Sequence, residues 1–295
     1  MSVPLAYIGV ILIWSTTPLA IKWSGETPGF LFGVVARMVI GAAVCYLWLL
    51  ASRQGLPMNR DALKTYLASS LGIFGAMLSV YWGAQFIASG IVAVIFGITP
   101  IATGVLAILL LQEKAFTPRK IAGIGLGFLG LAIIFHAPFD VTTKAQIGML
   151  AVFIAMLIHS LSTVVVKKWH GDLSALQVTT GGLLMSLPMY LLTWLVLGTH
   201  WPDHIGMRSG LAIFYLGIVG SVIGFMLFFY ILKNTHASRV GLIPLATPII
   251  ALVIGNLLNG EAIPVIILYG TGCILIGMAF YQWGHVFDRL LRARE

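Results

Sequence analysis

Few residues in this chain could do chemistry, and those few stand apart from one another. His159 is the one histidine deep inside an apolar run, and Ser160 follows it. A serine nucleophile needs a base in reach and an acid behind that base. Neighbouring helical positions point about 100° apart, and no carboxylate is near, so the pair builds no hydrolase. An ionisable side chain at that depth usually faces a cavity. Arg37 is the only positive charge well inside an apolar run, nine residues into the second. It could attract a carboxylate, or lay its stem along the helix and carry its charge towards water. Cys45 and Cys273 each lie in apolar sequence and form neither a disulfide framework nor a metal-ligand spacing. No phosphate-cradling Walker element is present. The expectation is a chain that is not an enzyme, with no catalytic residue, no metal and no cofactor.

The carboxylates sharpen this. Glu26, Asp61, Glu113, Asp140, Asp172, Asp203, Glu261, Asp288 and Glu295 all fall at the ends of apolar runs or between them. Proton-driven pumps usually hold Asp, Glu or His inside the membrane. Facilitated movement of a solute down its gradient needs no such group. His159 leaves proton coupling open as the alternative, since imidazole titrates near neutrality.

The elements that position these residues are long and apolar. Of 295 residues, 59% are hydrophobic and 9% charged, where soluble domains carry about a quarter charged residues. That excludes an ordinary soluble enzyme, a disordered chain and a free nucleic-acid binder. A membrane helix needs about 20 apolar residues. Ten candidates follow: Val3–Ile21, Pro28–Ala51, Leu63–Ile87, Gly90–Leu111, Pro118–His136, Ala145–Val166, Ser174–Gly198, Gly210–Leu232, Ser238–Leu258 and Pro264–Trp283. No ten-residue alternation suggests a β-barrel. The predicted fold is an all-α integral membrane protein whose partner is the lipid bilayer.

With the amino end in the cytoplasm, the inner connections and tail hold Arg53, Arg60, Lys64, Lys114, Arg119, Lys120, Lys167, Lys168, Lys233, Arg239, Arg289, Arg292 and Arg294. The outer side holds Lys22, Lys144 and Arg208. Such a bias orients both termini inward and accounts for the net charge of +8 without nucleic acid. The first run reads as a retained helix, because no basic segment precedes it and no small-residue cleavage site follows.

The chain also repeats itself at an offset near 147. Tyr66, Gly75, Tyr81, Gln85, Ala88 and Ser89 match Tyr215, Gly224, Tyr230, Asn234, Ala237 and Ser238. Thr99-Pro100 and Glu113 match Thr247-Pro248 and Glu261, and Trp14-Ser15 and Lys22 match His159-Ser160 and Lys167. Gly123, Gly125 and Gly130 match Gly270, Gly272 and Gly277. Each repeat, 1–139 and 140–295, holds five helices. Five is odd, so the second repeat must be inverted. Inverted repeats mark secondary transporters, with the substrate between the halves near the midplane.

Ten helices in two inverted sets of five, Thr-Pro-x12-Glu in both halves and a glycine-rich last helix in each resemble the drug/metabolite transporter superfamily, EamA type. The resemblance implies a basket of helices around a central cavity, with the last helix of each half outside it. It also implies a carrier in the bacterial inner membrane that exports small metabolites, above all aromatic and other neutral amino acids; the chain is expected to act as a monomer. Small multidrug members use a buried glutamate in their first helix; this chain has Trp14 at that depth.

The expected cavity residues are Trp14, Ser15, Tyr81, Gln85, Phe96, Thr99, His159, Ser160, Phe225 and Tyr230. Trp14 can stack on an apolar side chain. Tyr81 and Tyr230 occupy mirrored depths where they could frame two mouths, with Gln85 and Asn234 one turn on. Pro100 and Pro248, near the centres of the fourth and ninth helices, read as paired hinges. Arg37 is the possible carboxylate contact. The glycines of the fifth and tenth helices suit close helix packing. A channel, or a scaffold without transport, is the other alternative.

Overall fold

A computed structural model of the chain is all helix among the described residues, which are 2–113, 118–136, 143–197, 201–240 and 243–292. Lys114, Asp140, Arg294 and the junction between 139 and 140 lie outside them. The helices are α1 (Val3–Ser24), α2 (Phe30–Ala51), α3 (Arg60–Gly83), α4 (Ser89–Leu111), α5 (Pro118–Phe135), α6 (Thr143–Trp169), α7 (Ala175–Val196), α8 (Met207–Asn234), α9 (Ile243–Asn259) and α10 (Val265–Arg292). The first eight are long and apolar enough to cross a membrane, and α9 and α10 carry the shorter apolar stretches Ala246–Asn259 and Val265–Tyr281. Ser238, expected to open the ninth helix, lies in the short helical segment Ala237–Val240, and α9 is described from Ile243 onward.

Polar caps sit at helix ends, where water can reach them. The Asn59 side chain accepts from the Ala62 amide at 2.9 Å and starts α3. Ser174 and Gln177 form a reciprocal capping box that starts α7.

Three helices are irregular at mid-length. In α3 the segment Leu71–Ala76, and in α8 the segment Leu216–Ile223, widen into π turns, a distortion frequent at functional sites. The third irregularity breaks α4 into Ser89–Phe96 and Thr99–Leu111. The Gly97 amide reaches both Ala93 O (3.0 Å) and Val94 O (2.9 Å), which tightens the last turn of the first half. The Thr99 hydroxyl donates to Phe96 O at 2.5 Å across the break. Pro100 therefore does not kink a continuous helix, as expected from its sequence position. It sits in the first turn of a new one, where its missing N–H costs no hydrogen bond. Pro248 does lie inside α9. A Cβ on Gly97 would stand 3.5 Å from its ring, so the break in α4 meets the proline of α9.

Helices α5 and α10 pack on each other along backbone. A Cβ on Gly130 would stand 2.5 Å from Gly270 O, and one on Gly123 2.5 Å from Gly277 O. Gly125 and Gly272, expected on the same face, point into open space and take no part. Of the eight long helices α5 is the least buried, at 28% against 61% for α4, so it flanks the bundle rather than filling it.

The helix ends gather in two sets. At one, Lys22 Nζ donates to Ile87 O (3.1 Å) and Glu261 Oε1 (3.2 Å), and Trp23 Nε1 donates to Asn259 (2.9 Å). Arg208 donates to Asn259 (2.7 Å), pairs with Glu26 (3.5 Å) and covers the Trp23 ring at 4.2 Å. At the other, Lys167 Nζ donates to the carbonyls of Leu232 (2.8 Å), Lys233 (3.3 Å) and Thr235 (2.7 Å), with Glu113 near enough to attract it. Lys233 there donates to Asp172 O and Leu173 O. Lys22 and Lys167, matched by the repeat, thus both tie the end of their own helix to backbone carbonyls distant in sequence.

Candidate functional site

A cavity of about 80 Å³ lies at the centre of the bundle, several times the 10–15 Å³ or so that one water requires. Trp14, Thr17, Pro18 and Ile21 of α1 form one wall, and Met77 and Val80 of α3 another. Val92, Ala93, Phe96 and Thr99 of α4 run past the break in that helix. Arg37 of α2, His159 of α6, Phe225 of α8 and Thr247 of α9 complete the lining. The residues come from both halves of the sequence. Of the expected set, Trp14, Phe96, Thr99, His159 and Phe225 meet here, with Arg37.

One corner is aromatic. The His159 ring lies 5.7 Å from Trp14, edge to face, 5.4 Å from Phe228 and 6.0 Å from Phe96. Trp14 and Phe228 are 5.1 Å apart. Such rings offer flat, polarisable walls to an apolar or aromatic group. Trp14 and His159, matched by the repeat, are therefore in contact. The chemistry they offer is shape and stacking, with no nucleophile beside them.

Arg37 differs most from its sequence reading. Its side chain does not snorkel to water: it is 1% exposed, eight residues into α2. Nε donates to the Ser221 hydroxyl at 2.9 Å, while Nη1 is buried with no hydrogen-bond partner. Ser221 belongs to the π turn of α8. Glycines let the two helices approach it. A Cβ on Gly41 would stand 2.9 Å from Ser221 Cβ, and one on Gly220 3.2 Å from Arg37 Nη2.

Five expected residues lie elsewhere. Ser15 and Ser160 turn their hydroxyls onto their own helices, to Ile11 O (2.6 Å) and Met156 O (2.9 Å). This is the usual fate of serine in a helix whose surroundings hold no better acceptor. Tyr81 and Gln85 line a second recess of about 210 Å³ with Lys22, Gly25, Glu26, Phe30 and Ala84. Ile21 lines both spaces, so the recess adjoins the cavity on the Lys22 side. The Tyr81 hydroxyl is buried there without a partner, and the exposed Gln85 amide donates to Trp82 O. Tyr230 is half-buried near the other end; the Asn234 amide donates to its carbonyl at 2.8 Å.

Several lining residues escaped the sequence reading. Thr17, Pro18 and Ile21 stand three, four and seven positions after Trp14, one helical face. Phe228, which backs the lining rings of Trp14 and His159, follows Phe225 by three. That spacing was the available signal. The Thr17 hydroxyl is engaged with Ile13 O at 2.8 Å, so it presents an acceptor rather than a donor to the cavity. Among the described residues no three His, Cys, Asp or Glu side chains gather as a metal site would require.

The model of the EamA-like transporter family matches residues 1–136 and again 146–282. The uncharacterized transporter YoaV of Bacillus subtilis is 27% identical over 281 residues, 94% of this chain and 96% of that protein. A "Probable terminal-alkyne amino-acid exporter" of Streptantibioticus cattleyicolor is 22% identical over 280 residues, 90% of this chain and 91% of its own length. A solved crystal structure superposes with a TM-score of 0.71 over 96% of this chain and 98% of that one, at 22% identity, and so shares the fold.

Proposed function

Because the chain belongs to the EamA-like transporter family, a family of multi-pass membrane transporters, we propose that it carries small neutral amino acids, aliphatic and aromatic, out of the bacterial cell across the inner membrane. The observation that carries this reading is the central cavity, apolar and aromatic over most of its wall, with a single permanent charge among the described residues that line it. Such a wall suits a small solute with an apolar side chain. It does not suit phosphorylated sugars, which call for several cations. The amino-acid exporter among the relatives supports the same substrate class.

The mechanism we propose is alternating access between two inverted halves, 1–139 and 140–295. The Lys167 end faces the cytoplasm, since the excess of Lys and Arg lies on that side. The ties at the Lys22 end and at the Lys167 end loosen in turn. Pro100, at the break in α4, and Pro248, opposite it in α9, are the hinges. One chain encloses the cavity, so a monomer suffices. No carboxylate among the described residues lines the cavity, which favours facilitated export. Coupling to protons through His159 is the second reading, because the imidazole is the group in the lining that can both take up and release a proton.

The test is counterflow of labelled phenylalanine in proteoliposomes holding the purified chain. Saturable uptake, accelerated by unlabelled phenylalanine inside, is expected. A flux that never saturates would make the protein a channel. Acceleration by a pH gradient that disappears in His159→Gln would replace the facilitator with a proton-coupled carrier.

A further inference from the structure

We propose that Arg37, braced by Ser221, is a carboxylate-binding subsite that restricts the cavity to solutes with one carboxylate. This deepens the reading above and rests on it. The argument begins with an uncompensated charge. Arg37 is 1% exposed, lines the cavity and keeps Nη1 without a partner. The ion pairs among the described residues lie at helix ends: Lys22 with Glu261, Lys64 with Asp61, Arg208 with Glu26. Nor does a hydroxyl fill the gap. Tyr190, close enough to Arg37 to feel its charge, donates its own proton to Ile73 O at 2.5 Å.

A buried cation without a counter-ion is costly, and a ligand that supplies one is bound in proportion. The guanidinium is a planar fork whose spare N–H groups match the two oxygens of a carboxylate. The Ser221 hydroxyl accepts a hydrogen bond from Nε, which fixes the plane of the fork and leaves the N–H groups of Nη1 unengaged. Among the described residues of the wall Arg37 carries the one permanent positive charge, so one carboxylate balances it. A dianion would bring excess charge into an apolar space, and a cationic amine would meet repulsion. The rest of the solute then lies along Met77, Val80 and the Trp14–His159–Phe228 corner.

The experiment uses full-length protein, with phenylalanine, phenylalaninamide, phenethylamine and 3-phenylpropionate as probes. Two readouts run in parallel: thermal stabilisation of detergent-solubilised protein by each probe, and competition by each in phenylalanine counterflow. Phenylalanine and 3-phenylpropionate are expected to stabilise and compete, and the two probes without a carboxylate to do so at least tenfold less well. Arg37→Gln should raise the half-saturating phenylalanine concentration about tenfold to a hundredfold, the range of a lost charged hydrogen bond, and erase the preference for acid over amide. Arg37→Lys should recover part of the preference, and Ser221→Ala should weaken binding a few-fold. Equal competition by acid and amide in the unmodified protein overturns the subsite even if no Arg37 variant folds. Unchanged selectivity in a folded Arg37→Gln does the same. Carboxylate-selective stabilisation without saturable counterflow would uphold the subsite and remove the exporter.

Discussion

Replacing Glu261 by alanine is expected to unfasten the Lys22 end of the protein and slow counterflow about tenfold. The Glu261 carboxylate joins three parts of the fold. Its Oε2 accepts from the Ser89 amide (2.8 Å) and hydroxyl (2.7 Å) at the start of α4, and its Oε1 from Lys22 of α1 (3.2 Å) and Asn259 of α9 (3.0 Å). The group is 9% exposed and Lys22 29%. Its loss strands an ammonium and an amide proton together. Breaking a fully buried pair costs about 3–5 kcal/mol, and with Lys22 partly in water we expect about 2–3 kcal/mol here. Burial pushes the Glu261 carboxyl up, but the Ser89 hydroxyl, the Lys22 ammonium and the Asn259 amide together hold it below its ordinary value. A carboxyl lowered by folding stabilises above its unfolded value, about 4.3, and that contribution disappears as pH falls through the folded value. Acid below about pH 4 should therefore loosen this end in the unmodified protein and add little in Glu261→Ala. Thermal unfolding against pH, with counterflow at neutral pH, measures both. Equal unfolding curves for the two proteins would mean that the carboxylate is not a fastening.

Leucine at Gly130 is expected to cost still more, about 3 kcal/mol or beyond, because the obstacle is backbone. The added Cβ would meet Gly270 O at 2.5 Å, Ile274 Cγ1 at 2.8 Å and Ile274 N at 2.9 Å. Side chains can swing away from such a clash, but carbonyls and amides cannot without parting the helices. Membrane helices have little hydrophobic reason to stay together, so close packing is most of what joins α5 to α10. Leucine at Gly125, which faces open space, should be silent. Size-exclusion yield of the two variants gives the contrast. Equal yields would mean that the glycine contact does not hold the pair.

The architecture was legible because lipid leaves the chain so little choice. Runs of about 20 apolar residues must close their own backbone hydrogen bonds, and helices do so. The family relationship and the all-helical fold followed from that pattern and from the glycines and prolines within it. Less local features were hidden. The break in α4 depends on Gly97 fitting between Val94 O, Ile274 and Pro248, a tertiary fact that a hydropathy window averages away. Gly125 and Gly123 look alike in sequence, yet a turn of 200° separates open space from the Gly277 carbonyl. Arg37 was visible as an anomaly, but its bond to Ser221 spans 184 positions. Ser15 and Ser160 misled because a helix carbonyl competes for every serine hydroxyl.

The central claim is a solute chamber that opens to one side at a time. Its most direct measurement places a single cysteine at Thr99, on the chamber wall, in a protein whose Cys45 and Cys273 are alanine, and labels it with a membrane-impermeant thiol reagent from either side of oriented vesicles. Labelling from each side, slowed from both by phenylalanine, with no conductance across the membrane, is the expected result. Labelling from neither side, or labelling from both accompanied by an open ionic conductance, would contradict it.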